Sequence, residues 1–311
     1  MAIVDFLSQV KNVVSIHGYK TGSRISAEKV VERFLTQVGS RMNYGFRPLD
    51  HDWDVMILLD ACRADLFEEF APQHSLYDQF DTVSSKYSCA STSREWFDKG
   101  FGDVSIEERS DVHYVSENPF LSRLELTEFY QVERLWELRA KTGSGTLDPS
   151  VVTDQALNVY QNSTAGRFVV HYIPPHAPFF HCVDKYSLAE TAWGGESHDV
   201  WYGLQTGEFD QDEVWEDYGQ NLLTVLDEVE RLVEHVSGSV VITADHANAM
   251  GEFGVYGHPG YVPVPALKQV PWVRLAGNEV PYEINDLQAA EPEPDDSSES
   301  VEKRLEALGY K

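Results

Sequence analysis

Apolar positions along this chain follow two patterns: unbroken runs that end in a polar side chain, and longer stretches that repeat every three or four residues. "WDVMILLDA" (53–61), "RFVVHYI" (167–173) and "SVVITAD" (239–245) are of the first kind. Such runs predict strands buried on both faces of a parallel sheet. "VPWVRLA" near residue 270 is a fourth candidate strand. Between the second and third runs, Val214, Tyr218, Leu222, Val225, Val229, Leu232 and Val236 share one face at steps of three and four. That spacing predicts a long crossover helix, and strand, helix, strand in this order implies parallel pairing. The expected fold class is therefore α/β, with a mostly parallel central sheet.

Three regions flank or interrupt this pattern. Residues 1–50 read as an N-terminal helical segment of two helices, the second in "AEKVVERFLTQVGSRM", followed by the linker "GFRPLDHD". Residues 51–285 form the expected catalytic domain, within which 102–165 reads as insertion or edge structure. Residues 286–311 read as an acidic Pro/Ser linker and a short amphipathic helix.

Composition narrows the function classes. The chain has 51 acidic against 24 basic residues, a formal charge of -27, spread along its length. Such a surface repels nucleic acid phosphates and anionic lipid surfaces along most of the exterior, so nucleic acid is not an expected partner. Scarce lysine and dispersed acids resemble proteins of salt-loving archaea, where acidity serves solubility rather than substrate choice. Cys62, Cys89 and Cys182 make neither an even disulfide set nor a CxxC pair, which favours a reducing, cytoplasmic location. No stretch approaches about 18 unbroken apolar residues, so no transmembrane segment is expected, although the first helix is compatible with resting on a membrane or a partner. A homo-oligomer stays open.

Chemistry collects where the predicted strands end. Asp60 follows "VMILL", His171 and His176 lie in "HYIPPHAPF", and Asp245 and His246 follow "VVITA". In open parallel sheets ligands bind beyond the carboxyl ends of the strands. A carboxylate followed by an imidazole offers oxygen and nitrogen to one divalent cation, and Asp60 from another strand balances its charge. His258 returns after the "GEFGVYG" loop. His171, inside the apolar run, reads as structural. A lone strand-end aspartate more often forms a turn or caps a helix.

"TADHANAMGEFGVYGHP" resembles the "(T/S)DHGxxxGExGxxxH" segment of the alkaline phosphatase superfamily, in its sulfatase-like branch, with Ala247 in the glycine place. "VMILLDACRADLF" resembles the family's first motif, "HYIPPHAPF" its "PHxPY" segment, and "YGQNLLTVLDEV" its "YxxNLxxVxxxV" helix. The resemblance implies a three-layer α/β/α sandwich. It also implies a serine, threonine or modified cysteine nucleophile at a helix N-terminus between the first aspartate and the "DH" pair. "SSKYSCASTSREWF" suits, and Thr92 is the expected nucleophile, with Ser91 and Ser93 as alternatives; the bland reading is that one of these hydroxyls merely caps the helix. Neither Cys62 nor Cys89 stands in the Cys-x-(Pro/Ala)-x-Arg pattern of formylglycine sulfatases.

The resemblance further implies a metal site. No Asp-x-x-x-His pair of the two-zinc members lies between Thr92 and Asp245, so one divalent cation is expected, held by Asp60, Thr92, Asp245 and His246. Three oxygens and one nitrogen suit manganese, magnesium or zinc, and Ala61 in place of a second aspartate makes calcium the poorer fit. Arg94, Arg63 or His176 would stabilise the transferring group, and His258 would protonate the leaving alcohol. The reading is a metal-dependent hydrolase of small-molecule or glycan phosphate or sulfate esters. The alternatives are a phospho-headgroup transferase and a non-catalytic binding protein.

Overall fold

The run after Trp53 forms β1 (Val55–Leu59), in which every side chain is buried. The other strands are β2 (Thr82–Tyr87), β3 (Val112–Ser116), β4 (Gln131–Arg134), β5 (Arg167–Tyr172), β6 (Ser239–Thr243), β7 (Ala249–Met250), β8 (Tyr256–Gly257) and β9 (Gln269–Ala276). They are drawn from a computed structural model that describes residues 3–142, 146–186 and 200–282. The expected linker and helix at 286–311 lie outside the described residues.

Seven strands form one sheet in the order β2-β9-β6-β1-β5-β3-β4. β1 pairs in parallel with both β5 and β6, and β3 with both β5 and β4. β9 runs antiparallel to β6 and β2. The architecture is a three-layer α/β/α sandwich with a mostly parallel central sheet. β7 and β8 make a separate two-stranded ribbon.

The crossover helix runs from Gln211 to His235; six of the seven predicted residues lie on its inner face, Val236 follows as its extended C-cap, and all seven are fully buried. Asp210 caps it, accepting from the backbone N–H groups of Asp212 and Glu213 at 2.9 and 3.2 Å. Gly219 lets it approach the helix Ala64–Phe70, since a Cβ there would overlap the Phe70 ring.

Two expectations change in detail. The stretch 102–165 supplies not only edge strand β4 but also β3, buried throughout and second from the edge. β2, "TVSSKY", has no apolar run because it is a largely exposed edge strand whose pairing partner is β9. The N-terminal helical stretch, Ile3–Gly39, breaks at Gly18, whose φ of 76° is left-handed. The two arms fold so tightly that a Cβ on Gly22 would overlap the backbone of Val14. Val13 and Ile25 are buried there together with Tyr202.

Candidate metal and catalytic centre

Four parallel strands each deliver a polar side chain at or just beyond their carboxyl ends. Asp60 directly follows β1, and its backbone N–H continues the ladder to Tyr172 O at 3.0 Å. The chain then turns through Ala61, whose φ of 60° is costly for a residue with a Cβ. The turn is held from both sides: Ala61 N donates to Asp245 Oδ1 at 3.1 Å, and the Tyr218 hydroxyl donates to Ala61 O. Asp245 lies two residues beyond β6, and its Oδ1 also accepts from His246 N at 2.9 Å. His171 projects from β5, opposite Leu58 of β1. Asn118 follows β3 and donates from Nδ2 to Asp60 Oδ2 at 2.8 Å.

These groups converge. Asp60, His171 and Asp245 each bring one ligand-type atom to within 4.8 Å of the others. His171 Nε2 lies 3.3 Å from Asp60 Oδ2 and 4.0 Å from Asp245 Oδ2. His246 Nε2 lies 3.6 Å from Asp60 Oδ1 and 3.4 Å from Asp245 Oδ2. The outer nitrogens are occupied, His246 Nδ1 by Ala247 O at 3.1 Å and His171 Nδ1 by the Tyr114 hydroxyl at 3.1 Å, which turns each Nε2 inward. Asp60, Ser93, His171, Asp245 and His246 are at most 1% exposed.

Two carboxylates buried this deeply are costly unless neutralised. Burial alone would raise the Asp60 carboxyl; the adjacent His171 imidazole, 3.3 Å away, and the charges of His246 and His176 outweigh it and hold Asp60 well below the usual carboxylate range. Burial likewise opposes the charged form of His171, but Asp60 and Asp245 raise its pKa. Even so, Asp60 Oδ1, Asp245 Oδ2 and His171 Nε2 are buried without a hydrogen-bond partner. Inward-facing orphan oxygens and an orphan imidazole nitrogen are what a divalent cation satisfies, and the oxygen and nitrogen donors fit manganese, magnesium or zinc.

Of the three neighbouring hydroxyls, Ser93 reaches this cluster. Its Oγ lies 3.3 Å from Asp60 Oδ2 and 3.3 Å from His246 Nε2. The expected nucleophile and ligand, Thr92, instead caps the helix Ser93–Phe97, its Oγ1 accepting from Glu95 N at 3.1 Å. Ser91 Oγ donates to Glu95 Oε2 and to Pro259 O, each at 3.0 Å. Arg94, one helical step past Ser93, is exposed and is not brought to the cluster. Arg63 is engaged elsewhere, with Asp65 at 2.7 Å, Glu252 at 2.7 Å and Asn248 O at 2.8 Å. Burial raises the thiol pKa of both Cys62 and Cys89, the latter to about 12, so neither is poised as a thiolate.

His176 and His258 lie beside the cluster. The His258 ring centroid is 4.8 Å from that of His246 and 5.0 Å from that of His176. His258 Nδ1 meets Asn248 Oδ1 at 2.6 Å. Burial, then the neighbouring His246 and His176, push His258 well below an ordinary imidazole pKa.

His171, Asn118 and Asn248 were not recognised as site residues from the sequence. His171 carries the one usable signal, because its register places it beside the end of β1, two residues before the strand pattern stops.

No family model matches the chain, and comparison with curated proteins finds no match. Among solved structures, the integral membrane protein lipooligosaccharide phosphoethanolamine transferase A from Neisseria meningitidis superposes with a TM-score of 0.50 at 11% identity, over 80% of this chain and 54% of that chain. The chain thus spans about half the length of that membrane protein. The soluble domain of the same transferase gives a TM-score of 0.49 at 14% identity, over 76% of this chain and 80% of that one. The periplasmic domain of phosphoethanolamine transferase EptC from Campylobacter jejuni gives 0.48 at 16% identity, over 74% and 81%. At these identities what is shared is the fold, the alkaline-phosphatase-like α/β/α sandwich in which this site is built.

Proposed function

We propose that the chain is a metal-dependent phosphoryl-transfer enzyme that moves a phospho-linked headgroup from a donor ester to an acceptor alcohol, with Ser93 as nucleophile. The observation that carries this reading is the Ser93 hydroxyl at 3.3 Å from both Asp60 and His246, beside carboxylate oxygens that have no partner. Transfer is favoured over the hydrolysis expected from the sequence because a solved protein sharing this fold is named a lipooligosaccharide phosphoethanolamine transferase.

Asp60, Asp245 and His246 would hold the cation, with His171 as a further donor and Ser93 at its edge. When bound, the cation would lower the pKa of a coordinated hydroxyl and neutralise charge on phosphoryl oxygens. Asn118 and the turn at Ala61 keep Asp60 oriented. In the first half-reaction the Ser93 Oγ–P bond forms as the donor P–O bond breaks; the serine proton is lost and the leaving alkoxide takes up a proton. In the second half the acceptor hydroxyl attacks phosphorus and loses its proton as the Ser93 Oγ–P bond breaks and Ser93 Oγ takes up a proton. His176 and His258 flank the cluster and would bind or exchange protons with the ester oxygens. Hydrolysis is the same sequence with water as acceptor.

The test is to incubate protein and manganese or zinc with an aryl phosphodiester, then locate the covalent adduct by fragment mass spectrometry. A phosphodiester-linked adduct on Ser93, and more new diester than free phosphomonoester when an alcohol is supplied, is the expected result. An adduct on Thr92 would return the nucleophile to the position expected from sequence, and release to water alone would restore the hydrolase.

A further inference from the structure

Beyond the bend at Gly18, the N-terminal helix presents a row of large apolar side chains to solvent. Tyr19 is 83% exposed, Phe34 64% and Val30 52%, with Val31 and Val38 also exposed. At 3.6 residues per turn these five fall within an arc of roughly 120°, opposite the buried Gly22, Ile25 and Gly39. The local charge is inverted relative to the chain. Residues 1–47 contain seven of the 24 basic residues but only three of the 51 acidic ones, and Lys11, Lys20 and Arg41 are exposed.

This arm also lies against the loop that carries His258. Thr36 Oγ1 donates to Gly260 O at 3.3 Å, and a Cβ on Gly39 would overlap Tyr261 O. On the same loop Phe253, 69% exposed and held at a φ of 55°, sits next to Gly254, whose added Cβ would come within 2.9 Å of the Glu28 Cγ. An exposed bulky side chain in the left-handed region is rarely kept without a use.

We infer that this helix face docks on an anionic lipid surface. Tyr19, Val30 and Phe34 enter the interface, and the flanking lysines and arginines lie among the head groups. Charge selects this occupant over a second copy of the chain: a twofold contact would set one basic helix against another. Docking needs no turnover, so it is tested independently of the proposed reaction.

The full chain is floated with vesicles of phosphatidylcholine alone and of phosphatidylcholine mixed with phosphatidylglycerol. Binding to the mixed vesicles, weakened about fivefold by Lys20→Glu, is expected. Val30→Ser/Phe34→Ser/Val38→Ser should lower it at least about tenfold while circular dichroism stays unchanged. Failure to bind either vesicle, or equal binding by the triple variant, overturns the inference. So does a wild-type dimer that the triple variant dissociates without any vesicle binding.

Discussion

Ser93 Oγ stands 3.3 Å from His246 Nε2, joining the start of a short helix to the end of β6 across the top of the sheet. The adjacent hydroxyl turns the other way. Thr92, at φ -149° and ψ 156°, is extended and directs its Oγ1 along the helix to Glu95 N. One residue of backbone rotation thus separates a hydroxyl at the carboxylates from one that caps.

Ser93→Ala is therefore expected to lower turnover of an aryl phosphodiester at least roughly 10³-fold, while Thr92→Ala keeps it within a few-fold. Thr92→Ala should instead cost about 1 kcal/mol of stability through loss of the cap. Steady-state rates and urea midpoints on both variants check the pair; the reverse assignment of effects would exchange the two roles.

Saturating manganese or zinc should raise the melting temperature by roughly 5 °C, and a chelator should reverse the rise. Asp245→Asn isolates the cause, because the amide oxygen can still accept from Ala61 N and His246 N at the Oδ1 position. It removes only the charge. That variant should lose the metal-dependent rise without losing the fold, as read by thermal melts with and without metal.

The central strands and the crossover helix were legible because residues buried on all sides leave continuous or strictly periodic apolar patterns. Asp60, Asp245 and His246 were legible because each sits directly after such a run. His171 was not, since an imidazole inside an apolar strand looks the same whether it faces packing or a pair of carboxylates. Only the register with Leu58 shows which. Asn118 follows β3, whose "VHYVS" mixes polar and apolar residues although all five are buried, so the strand itself was hidden. The choice between Thr92 and Ser93 rests on dihedral angles that "STS" does not encode.

Gly219→Ala should destabilise the protein despite better helix propensity. Propensity offers about 1 kcal/mol in favour of alanine. Against it, the new methyl would overlap the Phe70 ring, itself 2% exposed and in the main core, and such overpacking costs about 1–3 kcal/mol. Phe70→Leu, made together with Gly219→Ala, should recover part of the loss in denaturant midpoints.

Lys268 gives the chain a rising stability at alkaline pH. Its side chain is buried, with Nζ 3.2 Å from Tyr44 O, 3.3 Å from Cys89 O and 3.8 Å from the Tyr44 ring centroid. Burial lowers its pKa from 10.5 to about 8; Lys99 adds to the depression, while Glu95 and Cys89 oppose it. Below about 8 both folded and unfolded chains carry the proton, so this lysine's contribution is flat and at its minimum. Between about 8 and 10.5 the unfolded chain keeps a proton that the folded one has released, so stability climbs with pH across that window. Lys268→Met removes the titration. The difference in urea midpoint between wild type and variant should therefore shift in favour of wild type from pH 8 to pH 10; a constant difference would mean that the ammonium is not penalised by its burial.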